Sequence, residues 1–274
     1  MPDEFHKMLT FPGEASPVQA YLARPDSPEP RPAVIVIHEI YGLDDHIKSV
    51  ADRFAAAGYV ALAPHLYSRP GLAEVLTLSN VEEAMRFNLS LPPEKMADAA
   101  FVQQKLAELP AESREIVQRV RPILFGGGLP RASLTQDLVH AADYLSGQSF
   151  VNRGKIASLG FCFGGGMSLD FACHARLAAS VVFYGQNPDP IAQVENIAGP
   201  VLGLYGADDM RINAHLDELV RAMTTYRKDF EMRIYPGAAH AFFNDTRPRV
   251  YREAAAKDAW ERVLNFFRRT LVAA

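Results

Sequence analysis

The chain has 274 residues, 49% of them hydrophobic and 22% charged, with a formal net charge of −4. That length and mix suit a globular α/β protein whose core needs no staples, and they exclude a disordered or disulfide-dense chain. The mild negative balance, with lysines and arginines scattered, leaves no basic footprint for nucleic acid or an anionic membrane.

Met1–Thr10 carries Asp3, Glu4, His6 and Lys7 and lacks the apolar run of a secretory leader. No apolar stretch reaches the ~18 residues of a membrane helix, so the expectation is a soluble cytoplasmic protein. The first predicted strand is Val18–Ala23, and the proline-rich Arg24–Pro32 is a surface connection into a first central strand, Ala33–Ile37. A helix over Asp45–Ala57 and a strand over Val60–Ala63 follow. Regular alternation then stops between Leu66 and Arg131. Within it Lys95–Leu109 and Glu112–Arg121 predict two short helices bounded by Pro92, Pro93, Pro110 and Pro122, and Gly126, Gly127 and Gly128 suggest a hinge. An excursion of this length is expected to be a helical insertion at about 68–130, acting as a lid; a dimer contact or a plain surface insertion are the alternatives. Beyond it come a helix Ser133–Ser146, strand Lys155–Leu159, helix Gly164–Cys173, and strands Ala179–Phe183 and Val201–Tyr205. Helix Ala214–Tyr226, strand Phe230–Tyr235 and helix Val250–Arg269, with one broad apolar face, complete the pattern. Apolar strands alternating with helices predict one α/β domain, 1–274, with a mostly parallel sheet covered on both faces.

The chemistry centres on Gly160-Phe161-Cys162-Phe163-Gly164. It lies where a strand turns into a helix, the setting of the nucleophile elbow, in which flanking glycines admit close backbone approach. A free cysteine beside a glycine turn is often only a buried apolar residue. Its chemical reading requires a histidine, and an acid to orient it, at later strand ends. His240, in the small-residue loop after Phe230–Tyr235, has that setting; His65 also ends a strand and is harder to set aside than the other histidines. The acid is expected in Gly206-Ala207-Asp208-Asp209, with Asp209 preferred for its spacing from the glycine and Asp208 the alternative. Either can instead cap the helix that follows. In His38-Glu39-Ile40-Tyr41-Gly42, after the first central strand, the amide of Ile40 is expected to form an oxyanion hole with the amide of Phe163. His38 and Glu39 lack the second histidine of H-E-x-x-H, and the three glycines lack a phosphate-loop context, so neither a metal nor a cofactor is expected. If the segment between them is helical, Cys162 and Cys173 lie ~16 Å apart, too far for a disulfide.

Taken in order, His38-Glu39-Ile40-Tyr41-Gly42, Ala63-Pro64-His65-Leu66-Tyr67, the G-x-C-x-G-G elbow, the Gly206–Asp209 loop and His240-Ala241-Phe242-Phe243-Asn244 followed by Trp260 resemble the dienelactone hydrolase (carboxymethylenebutenolidase) family of α/β hydrolases. The resemblance implies an α/β-hydrolase fold and a Cys162, His240, Asp209 triad hydrolysing a small ester or lactone through a thioacyl-enzyme. It also implies that Glu39 approaches the thiol and helps manage its proton. Members that cleave dienelactone hold the substrate carboxylate with a serine directly after the histidine and an arginine four positions after it. Here those positions are Ala241 and Asn244. Arg69 can still offer a cation near the mouth, with Tyr41 and Asn244 as further substrate-binding candidates. The alternative is a ligand-binding or interaction protein that keeps the fold without turnover.

Overall fold

A computed structural model describes residues 4–272. The chain runs β1 (Glu4–Phe11), β2 (Val18–Pro25), β3 (Arg31–Ile37), α1 (Asp45–Ala56), β4 (Val60–Pro64), α2 (Leu78–Ser90), α3 (Ala99–Ala107), α4 (Ala111–Phe125) and α5 (Arg131–Ser146). It continues with β5 (Val151–Phe161), α6 (Phe163–His174), β6 (Ala179–Phe183), β7 (Val201–Gly206), α7 (Met210–Asn213), α8 (Leu216–Thr225), β8 (Phe230–Tyr235) and α9 (Glu253–Phe267). The strands form one eight-stranded sheet in the order β1-β2-β4-β3-β5-β6-β7-β8, parallel from β4 to β8, with β1 and β2 antiparallel at one edge.

Side chains alternate across a strand, so a strand covered on both faces must be apolar at every position. In β3, Val34 and Val36 pack on one side with Ile47 and Phe54 of α1 and Val263 and Phe267 of α9. Ile35 and Ile37 pack on the other with Leu134 and Leu138 of α5 and Met167 and Phe171 of α6. All of these are buried, and each such side chain contributes about 1.5–3 kcal/mol through the water it sheds. β4 adds on one side of β3 and β5 on the other, so the order reverses between them, and the strands' carboxyl ends at such a reversal are where open α/β sheets place their sites.

The structure departs from expectation at several elements. No strand was expected before Val18, but Glu4–Phe11 forms β1, which antiparallel pairing with β2 stabilises. An unforeseen helix, α2, caps with Thr77, whose hydroxyl accepts from the Asn80 N–H. The helix expected to stop at Arg121 runs through Pro122 to Phe125; the proline lacks only its own N–H, and Gly126 N–H closes the end on Pro122 O at 3.1 Å. The helix expected from Ala214 to Tyr226 is α8, Leu216–Thr225, preceded by a separate short helix α7 that was not expected, and α9 starts at Glu253 rather than Val250. Phe87, Leu91, Val102, Leu106 and Val117 give α2, α3 and α4 a small core of their own, while Val81 and Val120 join them to the main one.

Candidate active site

The β5–α6 turn places Cys162 at φ 56°, ψ −116°, in the left-handed half of backbone space. A non-glycine residue there carries strain of about 1–3 kcal/mol and persists only where its surroundings hold it. The hold is visible: Cys162 N–H donates to Phe183 O at 3.0 Å, and Gly166 N–H donates to Cys162 O at 3.2 Å. A Cβ on Gly160 would lie 1.9 Å from Gly164 O, and one on Gly164 would lie 2.3 Å from Ile37 O. The chain makes this turn against β3 only because both positions are glycine. Cys162 is half-buried, just ahead of the first turn of α6.

His240 and Asp209 arrive from the loops after β8 and β7. The His240 Nδ1–H donates to Asp209 Oδ2, while Asp209 Oδ1 accepts from Ile212 N–H at 3.4 Å and so caps α7 as well. Asp208 is exposed. Burial alone would push the His240 imidazole down; the charge of Cys162 and the hydrogen bond His240 donates to Asp209 outweigh it, and the ring is raised to about 10. Its Nε2 is buried without a hydrogen-bond partner, and the ring lies close enough to Cys162 to feel the charge of the thiol. Tyr184, at φ 38°, packs its ring 5.0 Å from the imidazole centroid.

The loop after β3 is fixed by His38. This ring is fully buried; its Nδ1–H donates to Glu39 O at 2.5 Å and its Nε2 accepts from Leu66 N–H at 3.1 Å, which settles its tautomer. Burial, with His65 beside it, lowers it to about 3, so it stays neutral. Glu39 is 2% exposed. Burial raises its carboxyl, opposed by the His46 imidazole, the Asn244 amide and His240. Neither the Ile40 nor the Phe163 amide donates a backbone hydrogen bond among the described residues, as expected of a loop and of the first residue of a helix.

Three expectations need revision. Asn244 is fully buried and donates from Nδ2 to Glu39 Oε2 at 2.5 Å, so its amide is engaged in holding Glu39. Arg69 is turned inward, with its guanidinium 2.7 Å from Asp137 Oδ2 and 2.7 Å from Ser133 Oγ, and offers no free cation. His65 packs edge-on against His38 and beside Tyr67, and burial lowers it. The cation that does stand near the site is Arg247, which sequence reasoning missed because no motif contains it. It lies 3.6 Å from the centroid of the Tyr41 ring and 3.7 Å from Glu82 on α2. Burial pushes the Tyr41 phenol up to about 12, against the pull of Arg247, with Glu39 and Cys162 adding to the rise.

Cys162, His240, Asp209, Glu39 and Tyr41 are thus gathered at the carboxyl ends of β3, β5, β7 and β8. The sequence model of the dienelactone hydrolase family matches residues 18–271. A relative from Saccharolobus solfataricus, provisionally named a carboxymethylenebutenolidase, is 41% identical over 263 residues, covering 96% of this chain and 98% of that one. Among solved structures, a protein of Klebsiella pneumoniae provisionally described as a dienelactone hydrolase superposes with a TM-score of 0.72 at 28% identity, covering 97% and 98% of the two chains. A dienelactone hydrolase-like promiscuous phosphotriesterase from metagenomic libraries shares the fold, with a TM-score of 0.74 at 23% identity over 97% and 98%. The family match and the Saccharolobus relative span nearly the whole chain: it belongs to the dienelactone hydrolase family of α/β hydrolases.

Proposed function

We propose that the protein hydrolyses small carboxylic esters or lactones through a thioacyl-enzyme on Cys162, with His240 as proton carrier and Asp209 orienting it. The observation that carries this reading is the strained Cys162 held beside a His240 that is itself bonded to Asp209. The raised imidazole keeps His240 charged at neutral pH, a cation beside the sulfur, and the N-terminus of α6 adds about 0.3–1 kcal/mol in favour of negative charge there. The sulfur adds to the substrate carbonyl, and the developing oxyanion meets the Ile40 and Phe163 N–H groups. As the carbon–oxygen bond breaks, His240 gives its proton to the departing alkoxide; in a lactone that alcohol stays tethered. Neutral His240 then takes a proton from water, hydroxide adds to the thioester, and collapse expels the thiolate beside a re-protonated ring. Glu39, positioned by Asn244, receives the thiol proton when Cys162 rests in its neutral form.

The insertion at 68–130 belongs to this reading as a cover over the mouth, because α2 reaches the post-histidine loop through Glu82, Arg247 and Tyr41. A nucleophile that must stay reduced fits the cytoplasm. The test is stopped-flow hydrolysis of a p-nitrophenyl ester. A burst of one p-nitrophenol per active site is expected in the native protein, and loss of turnover by about a thousandfold or more in Cys162→Ala. Undiminished turnover in that variant would remove Cys162 from the chemistry.

A further inference from the structure

β8 closes the sheet at one edge, and among the described residues nothing pairs with its outer side. Natural proteins usually blunt such an edge, because its free N–H and C=O groups are a template for another strand. Here the strand is exposed at Glu231, Met232, Arg233 and Ile234, with Met232 40% and Ile234 38% accessible. The order of these residues is symmetric in character about Met232. In an antiparallel pair of two such strands centred there, Met232 meets Met232, Phe230 meets Ile234, and Glu231 meets Arg233.

The backbone agrees with that centre. Asp229 O accepts from Val201 N–H and Tyr235 O from Ala207 N–H, so the odd-numbered residues of β8 bond inward to β7. Phe230, Met232 and Ile234 therefore turn their N–H and C=O groups outward. An antiparallel ladder centred on Met232 needs those residues as its hydrogen-bonded pairs and Glu231 and Arg233 as its non-bonded pairs. A centre on Glu231 or on Arg233 would instead set like charges opposite each other, which is unfavourable.

We propose that the protein associates with a second copy of itself through β8, joining two sheets into one continuous sheet across a two-fold axis at Met232. One face of the junction carries Phe230, Met232 and Ile234 from both copies and buries the two exposed apolar side chains. The other carries two Glu231–Arg233 cross-strand pairs, with Arg269, 2.7 Å from Glu231, bracing the carboxylate. The interface is isologous, so it closes at two chains and leaves no free edge on either β8.

Sedimentation equilibrium with three proteins tests this. The native chain is expected at twice the mass of one chain. Glu231→Arg alone sets a new cation against Arg233 in each cross-strand pair, and Arg233→Glu alone sets a new carboxylate against Glu231. Each is therefore expected to weaken self-association at least tenfold. An equimolar mixture of the two variants restores opposite charges at every pair and is expected to regain the two-chain mass. A native protein that stays monomeric across its soluble range overturns the proposal. So does a dimer that survives in both variants, or a mixture that fails to pair. Circular dichroism and Cys162-dependent ester turnover of each variant report that the chain is folded, since neither position lies near the thiol.

Discussion

Three of the four non-glycine residues at positive φ among the described residues, Cys162, Tyr184 and Ala241, stand around one imidazole. Strain of about 1–3 kcal/mol at each is tolerable only if packing elsewhere fixes the backbone, and its clustering marks the place where geometry matters most. The charge of His240 is the measurable consequence. Its value, raised from 6.5 to about 10, means that the charged ring favours the fold. That contribution is fully present below about pH 6.5 and is lost as pH rises through about 10. Cys162→Ala removes the neighbouring charge, leaving burial opposed by Asp209 and Glu39. The imidazole midpoint followed by NMR should then fall by about one pH unit or more, about 1.4 kcal/mol of lost charge stabilisation. An unchanged midpoint would mean that the thiol and the ring do not interact. At this scale the meeting of Cys162, Asp209 and His240 at the ends of β5, β7 and β8 was legible because local grammar surrounds each: glycines at the elbow, a strand end, a small-residue loop. Arg69 and Asn244 were misread because their partners lie far along the chain. Asn244 and Glu39 are 205 positions apart, and no local pattern announces that a buried amide will select a buried carboxylate.

The central strands and most helices were legible as elements, since burial on both faces forces unbroken apolar runs such as Ala179–Phe183, which match the observed β6. The misses have physical causes. α2 buries only Val81, Ala84 and Phe87 and leaves Leu89 71% exposed, so its apolar stripe is too narrow to read. β1 is an edge strand whose His6 and Lys7 interrupt alternation, and pairing with β2 decides its state. The proposed cover role of the insertion makes its own prediction. Glu82→Lys replaces an attraction to Arg247 with a repulsion and should loosen α2 over Tyr41. A several-fold change in KM for bulky esters is expected, with the burst amplitude kept. Identical KM values across esters of several sizes would confine α2 to a structural role.

For the whole molecule, the sheet order fixes where chemistry can occur. The order reverses between β4 and β5 about β3, and the loops after β3, β5, β7 and β8 each deliver one part of the site at the carboxyl ends there. The alternation of strands and helices implied this architecture before any side chain was placed. It could not indicate that the edge strand β8 would be left open, because edge position follows from strand order and not from local sequence. Whether the gathered groups act as proposed reduces to the fate of one sulfur. Acid quench of the native protein during turnover of a p-nitrophenyl ester, followed by intact-mass and peptide mass spectrometry, tests it directly. The account predicts one added acyl group per chain on the peptide that contains Cys162, absent from Cys162→Ala. An acyl group on any other residue, or rapid turnover with no adduct in a chain lacking that thiol, would contradict it.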